Sequence, residues 1–275
     1  MKSYKEVFEE GKKHLLGKKI EDWEIDAWYL FSHVFDMTRA QYFMDYDKLS
    51  SQSQYRQYID LIKTRANHVP LQEILGYTEF MGLKIKVNEH VLIPRQETEI
   101  LVEEALKLCE GKDVLDLCTG SGCIIISLMK HGNINRGMGT DISTEALKVA
   151  RENAKINQVD IKFLQSDLFD NIEDKFDIVV SNPPYIPRDD IENLSKEVKD
   201  HDPLLALDGK EDGLYFYKMI AKDIKKYIRS NGYLLFEIGY NQADDVVSIL
   251  KTEGISNIKV IKDLTGFDRV IIARI

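Results

Sequence analysis

Cysteine is too scarce in this chain for a disulfide framework or a zinc site: Cys109, Cys118 and Cys123 are odd in number and lack paired metal-ligand spacing. Reduced, structural thiols and no metal are expected. The six histidines, His14, His33, His68, His90, His131 and His201, form no ligand cluster along the sequence either. No run approaches the roughly 18 uninterrupted apolar residues of a membrane span. The opening Met1-Lys2-Ser3-Tyr4-Lys5-Glu6 lacks the apolar region of a signal peptide. A soluble cytoplasmic chain with no membrane partner is therefore expected. Positive charge is also in deficit, with 37 basic against 46 acidic residues and a net charge of −9. That balance disfavours direct nucleic-acid binding through an extended basic surface.

The chain does have enough apolar residues, 44% of 275, for one domain of about 180 residues plus a smaller one. Residues 1–75 read as helical. Val7, Phe8, Leu15 and Leu16 recur at helical spacing, then come Ile25 to Phe35 and Tyr55, Ile59 and Ile62. Asp22 is a candidate cap for the second helix, and Ser51 or Ser53 for the third. Residues 76–93 read as a β-hairpin linker, with Leu83–Val87 pairing Val91–Ile93 around Asn88-Glu89-His90. From 94 to 275 helices and strands alternate, which makes a doubly wound, mainly parallel α/β sheet with its ligands at the carboxyl ends of the strands. Lys222, Lys225, Lys226 and Arg229 read as the solvated face of a helix over 214–229.

Within that alternation, the strand Asp113–Leu117 runs into Cys118-Thr119-Gly120-Ser121-Gly122 and then an apolar helix. Glycines here let the backbone turn tightly and let a ligand lie against the main chain. Asp141 ends the next strand, about 20 residues past the turn, where an acid bonds a ribose hydroxyl. The other reading of Asp141 is a cap for the helix that starts near Ser143. A dinucleotide fingerprint needs glycine at 125, but the residue is Ile125, which points away from NAD or FAD. The ligand wanted is an adenosine without phosphates, and Asp167-Leu168 offers an acid and an apolar face for adenine. S-adenosylmethionine fits this set.

After the apolar run Phe176–Val180 comes Asn182-Pro183-Pro184-Tyr185. Two prolines stiffen the loop, so the Asn182 oxygen and the Pro183 carbonyl can take the two hydrogens of one planar –NH2 group while Tyr185 covers its face. Transfer to an amide or amino nitrogen is one reading. A Pro-Pro strand exit with a half-buried tyrosine is the other.

Together the glycine turn, the following acid, Ser166–Phe169 and Asn-Pro-Pro-Tyr resemble a Rossmann-like class I methyltransferase. Asn-Pro-Pro-Tyr is shared with amino methyltransferases of adenine and cytosine, so an N6-adenine-type nucleic-acid enzyme is the alternative. Ile93-Pro94-Arg95-Gln96-Glu97-Thr98-Glu99 is similar to the Pro-Arg-Pro-Asp-Thr-Glu signature of the release-factor glutamine methyltransferases of the HemK/PrmC type. So are His201-Asp202-Pro203, Ala206-Leu207, Glu211–Leu214 and Gly266–Val270. Gln96-Glu97 departs from Pro-Asp, Asp202 from the frequent Glu, and Cys118 from Gly.

The resemblance implies a seven-stranded sheet behind a helical substrate-docking domain, and S-adenosylmethionine as methyl donor with S-adenosylhomocysteine as product. It implies methylation of the glutamine amide nitrogen in the Gly-Gly-Gln tip of a peptide-chain release factor, by a monomer. Cofactor contacts are expected from Cys118, Thr119, Gly120, Ser121, Gly122, Asp141, Asp167, Leu168 and Asn182. Catalysis and substrate contacts are expected from Asn182, Pro183, Pro184 and Tyr185. Arg95 stands either at the substrate mouth or in a surface ion pair with Glu97 or Glu99.

Overall fold

The computed structural model describes all residues, Met1–Ile275, in two compact units. The first comprises Met1–Gly76 with Lys196–His201, the second Tyr77–Ser195 with Asp202–Ile275.

The first unit holds α1 (Tyr4–Gly17), α2 (Trp23–Phe35), α3 (Arg39–Asp45), α4 (Gln52–Ala66) and α5 (Leu71–Leu75). Polar caps start three of them. Ser3 forms a capping box with Glu6, Thr38 does so with Gln41, and Ser51 accepts from the Gln54 N–H. Asp22 precedes α2 but makes no cap bond, because its backbone (φ −91°, ψ 34°) is not in the extended conformation that aims a side chain at the first turn. α3 and α5 are too short for the apolar period to reveal.

The core of this unit is aromatic: Phe8, Trp28, Phe31, Phe35, Tyr42 and Tyr58 are buried together. Phe31 and Phe35 stack at 4.2 Å. Gly11 faces the Tyr58 ring, and a Cβ there would lie 2.1 Å from its hydroxyl oxygen. That hydroxyl in turn donates to the Ala27 carbonyl. Arg65 is buried, with Nε on Asp26 at 2.6 Å, Nη1 on the Val69 carbonyl and Nη2 on Glu197 at 2.6 Å.

The second unit begins with a hairpin of β1 (Tyr77–Phe80) and β2 (Leu83–Lys86). Its two-residue turn, Met81-Gly82, has positive φ at both positions, as the strand twist favours. The expected pairing of 83–87 with 91–93 is therefore overturned. Val87, Val91 and Ile93 are buried in the core from a loop, so their alternation came from burial and not from strand pairing. The hairpin is held by side chains of a later helix: Asn153 bonds both the N–H and the C=O of Lys86, and Asn157 donates to the Lys84 carbonyl.

Next come α6 (Gln96–Leu106), β3 (Asp113–Leu117), α7 (Cys123–His131), β4 (Arg136–Asp141), α8 (Thr144–Ile156), β5 (Lys162–Gln165) and β6 (Phe176–Ser181). After a 3-10 turn at Arg188–Asn193 follow α9 (Lys196–His201, in the first unit), α10 (Leu204–Leu207) and α11 (Tyr215–Tyr227). The chain ends with β7 (Ile228–Glu237), α12 (Ala243–Thr252), β8 (Asn257–Lys262) and β9 (Asp268–Arg274). The expected helix over 214–229 stops two residues early. Ile228 and Arg229 open β7, with Arg229 bonding Asp113 and Asp177, while Lys222, Lys225 and Lys226 are exposed on α11.

The seven strands lie in the order β5-β4-β3-β6-β7-β9-β8, with β9 antiparallel to both its neighbours and the rest parallel. All of β3 and most of β6 are buried, which explains their continuous apolar reading. The order of connection reverses between β3 and β6, so a crevice opens outside their carboxyl ends.

Candidate active site

Each sequence-predicted segment leaves the sheet at the same edge. After β3, Thr119 donates its N–H to the Thr140 carbonyl of β4 and its hydroxyl to Asp116 Oδ2 at 2.5 Å. Asp141, at the end of β4, accepts from the Gly120 N–H and the Ser143 N–H, both at 2.9 Å. The cap of α8 is Ser143, not Asp141. Asp141 instead locks the glycine turn to β4, and those two N–H bonds offset the burial that raises its pKa. Cys118 has φ +58°, a left-handed backbone that a glycine would adopt without cost, which gives a physical sense to its standing in a glycine position.

At the end of β6, Asn182 is half-buried and its Nδ2 donates to Thr98 Oγ1 at 3.4 Å. The loop behind it is clamped. The Tyr185 carbonyl accepts from Gln242, the Ile186 N–H donates to the Leu207 carbonyl, and the Gly209 N–H donates to the Ile186 carbonyl. A Cβ on Gly209 or Gly213 would come within 2.8 Å of the Tyr185 backbone, so these two glycines let the Glu211–Leu214 segment close over the Pro-Pro-Tyr turn.

One cavity of about 350 Å3 is lined by Cys118, Thr119, Gly120, Ser121, Asp141, Asp167, Leu168, Asn182, Pro184 and Arg95. Gly122, Pro183 and Tyr185 do not line it: Gly122 starts α7 at φ +79°, Pro183 is buried and Tyr185 packs beside the sheet core. Burial raises the Tyr185 hydroxyl pKa. Arg95 pairs at 2.5 Å with the buried Asp202, which removes one of its two readings, the surface pair with Glu97 or Glu99. Its extended backbone sends the side chain away before the helix begins, and Glu99 is already accepting from the Met81 N–H.

Two buried carboxyls were not picked out from the sequence. Asp116 is fully buried, burial pushes its pKa up to about 7 against the Thr119 hydrogen bond, and Oδ1 has no partner. Glu237, at the end of β7, is 1% exposed. Burial likewise raises it to about 7, while the polar side chains of Thr98 and Asn182 and the charge of Arg269 pull it down; Oε2 has no partner. Both had read as ordinary strand residues. The cavity wall also carries Glu89 and Glu145, so acids outnumber Arg95 and Lys210 and the site favours a cation over a pyrophosphate.

Sheet order, glycine turn and Asn-Pro-Pro-Tyr define a Rossmann-like methyltransferase. The family model described as the methyltransferase small domain matches residues 96–199, and that of the PrmC N-terminal domain matches 6–76. Among solved structures, a methyltransferase from Pyrococcus furiosus shares the fold at a TM-score of 0.58 and 16% identity, over 77% of this chain and 98% of that one. The release factor glutamine methyltransferase of Clostridium botulinum is 40% identical over 98% of both chains, and that of Thermodesulfovibrio yellowstonii is 40% identical over 90% of this chain and 91% of its own. The chain belongs to the release factor glutamine methyltransferase family. With that membership, the expected fold class, enzyme class and use of S-adenosylmethionine stand.

Proposed function

We propose that the crevice at the ends of β3, β4, β5 and β6 carries out the family's reaction on the side-chain amide of the glutamine in a Gly-Gly-Gln tip, with roles divided as follows. The observation that carries this reading is that residues from four separate strand ends meet in one cavity. The donor set fits the methyl donor. Gly120 and Ser121 offer main chain, the surplus of acids along the wall suits a cation, and Asp141, Asp167 and Leu168 suit an adenosine. S-adenosylmethionine, when bound, supplies an electrophilic methyl group on a sulfonium.

An amide nitrogen is a poor nucleophile because its lone pair is delocalised into the carbonyl. Asn182 Oδ1 and the Pro183 carbonyl take its two hydrogens and fix its direction, and alignment of this kind is worth up to roughly 7–11 kcal/mol. Tyr185, expected to cover the amide plane, packs against the sheet core outside the cavity wall and so braces the turn that carries Asn182. No residue is assigned to proton abstraction, since the methylated nitrogen is acidic enough to release its proton to water. Arg95, held by Asp202, stands at the substrate mouth. The helical unit docks the release factor. A cytoplasmic, monomeric enzyme that does not bind nucleic acid directly completes the proposal; no helix is long and apolar enough to cross a membrane.

The test is methyl transfer from labelled S-adenosylmethionine to a purified release factor and to its tip Gln→Ala variant, with DNA and RNA as parallel acceptors. Label on the unaltered factor alone is expected. Label on nucleic acid would overturn the substrate assignment.

A further inference from the structure

An asparagine side chain has nearly the same shape either way round, so only its partners decide whether oxygen or –NH2 faces a ligand. For Asn182 that choice decides the chemistry, because an –NH2 group turned to the cleft would oppose the substrate's own –NH2. Thr98 lies in the first turn of α6 and is buried, and its Oγ1 accepts from Asn182 Nδ2 at 3.4 Å. A hydroxyl carries one hydrogen. If that hydrogen goes elsewhere, Oγ1 can only accept, and Asn182 must present –NH2 to it. Glu237 follows Phe236, whose register partner is Ser181, so its buried carboxyl lies beside Asn182 and supplies that destination, since in its ionised form, reached as pH rises through about 7, it accepts and never donates. The partnerless Oε2 leaves it spare acceptor capacity.

We propose that Thr98 and Glu237 are positioning residues that set the polarity of Asn182. Thr98 donates to Glu237, Asn182 Nδ2 donates to Thr98, and Asn182 Oδ1 is the end left for the substrate amide. Neither residue touches the reacting atoms. This inference rests on the role given above to Asn182.

The experiment measures kcat, KM for the release factor, S-adenosylmethionine affinity by calorimetry and thermal unfolding for Thr98→Val, Thr98→Ser, Glu237→Gln, the Thr98→Val/Glu237→Gln pair and Asn182→Ala. Thr98→Val keeps shape but removes the acceptor, and kcat is expected to fall by about tenfold or more, the effect of one lost charge-linked hydrogen bond. KM and cofactor affinity should stay within about twofold, and Thr98→Ser should restore kcat. Glu237→Gln can donate to Thr98 and so free Asn182 to turn over, so it should lose kcat likewise. The double variant should be no worse than Thr98→Val alone, because both act through one relay. A Thr98→Val enzyme with kcat within about twofold of the unaltered one, beside an inactive Asn182→Ala, would overturn the relay. An active Asn182→Ala would overturn the underlying reading instead. Should Thr98→Val fail to fold, an unchanged kcat in Glu237→Gln has the same overturning force.

Discussion

In the helical unit the buried charge is paired, whereas in the sheet unit two buried carboxyls each keep an oxygen without a partner. Arg65 uses Nε, Nη1 and Nη2 on Asp26, Val69 and Glu197. Asp116 Oδ1 and Glu237 Oε2 have nothing. Leaving a buried polar group unsatisfied costs stability, so a fold keeps such groups where a ligand or a reaction uses them. The contrast separates structure from site without reference to the motifs. In the first unit buried charge is fully paired beside an aromatic core, and in the second the two carboxyls with a free oxygen lie toward the carboxyl ends of β3 and β7.

If the contrast is right, the largest stability effect belongs to Arg65. Arg65→Ala leaves Asp26 buried and uncompensated, which should destabilise the first unit by about 3–5 kcal/mol. Both tryptophans, Trp23 and Trp28, lie in that unit, so their fluorescence during urea unfolding reports it selectively. A midpoint that does not move would remove the distinction.

Glu237 should behave in the opposite way, with an isostere that stabilises the fold while slowing the reaction. Its pKa is raised from 4.5 to about 7, so between those values the native state holds a proton that the unfolded chain has released. Stability from this group is complete below pH 4.5 and is lost as pH rises through about 7, by on the order of 3 kcal/mol. Asp116 adds a loss of the same sign. Glu237→Gln should therefore unfold with a shallower pH dependence and gain on the unaltered protein up to neutrality. Parallel curves would mean that Glu237 carries no such penalty.

Smaller effects sharpen the comparison further. Gly11→Ala drives a methyl group into the Tyr58 ring, and overpacking there should cost about 1–3 kcal/mol, again read by tryptophan fluorescence. Cys118→Gly relieves a left-handed backbone but loses a small half-buried side chain, so thermal stability should change by no more than about 1 kcal/mol. A larger fall would show that the thiol packs more than it strains.

Much of the sheet unit was legible because its strands are buried on both faces and its turns carry special residues. Asp113–Leu117, Phe176–Ser181 and the turns after them needed only local chemistry. What escaped was set by distance in the chain. Arg95 finds Asp202, 107 residues on, in preference to the neighbouring acids, and Glu237 gains its meaning only from Thr98 and Asn182. The hairpin was misplaced because Val87, Val91 and Ile93 keep alternating after pairing has ended, and alternation reports burial alone. Ile228 and Arg229 fell into the preceding helix because the apolar period of α11 runs on into β7 without a break.

The most direct test of the central claim is the Asn182→Ala enzyme, assayed for methyl transfer to a release factor beside calorimetry of S-adenosylmethionine binding. Loss of a preorganised hydrogen bond at the reacting amide predicts turnover lower by roughly 100-fold or more with cofactor affinity nearly unchanged. Turnover close to that of the unaltered enzyme would contradict the claim that Asn182 holds the substrate nitrogen.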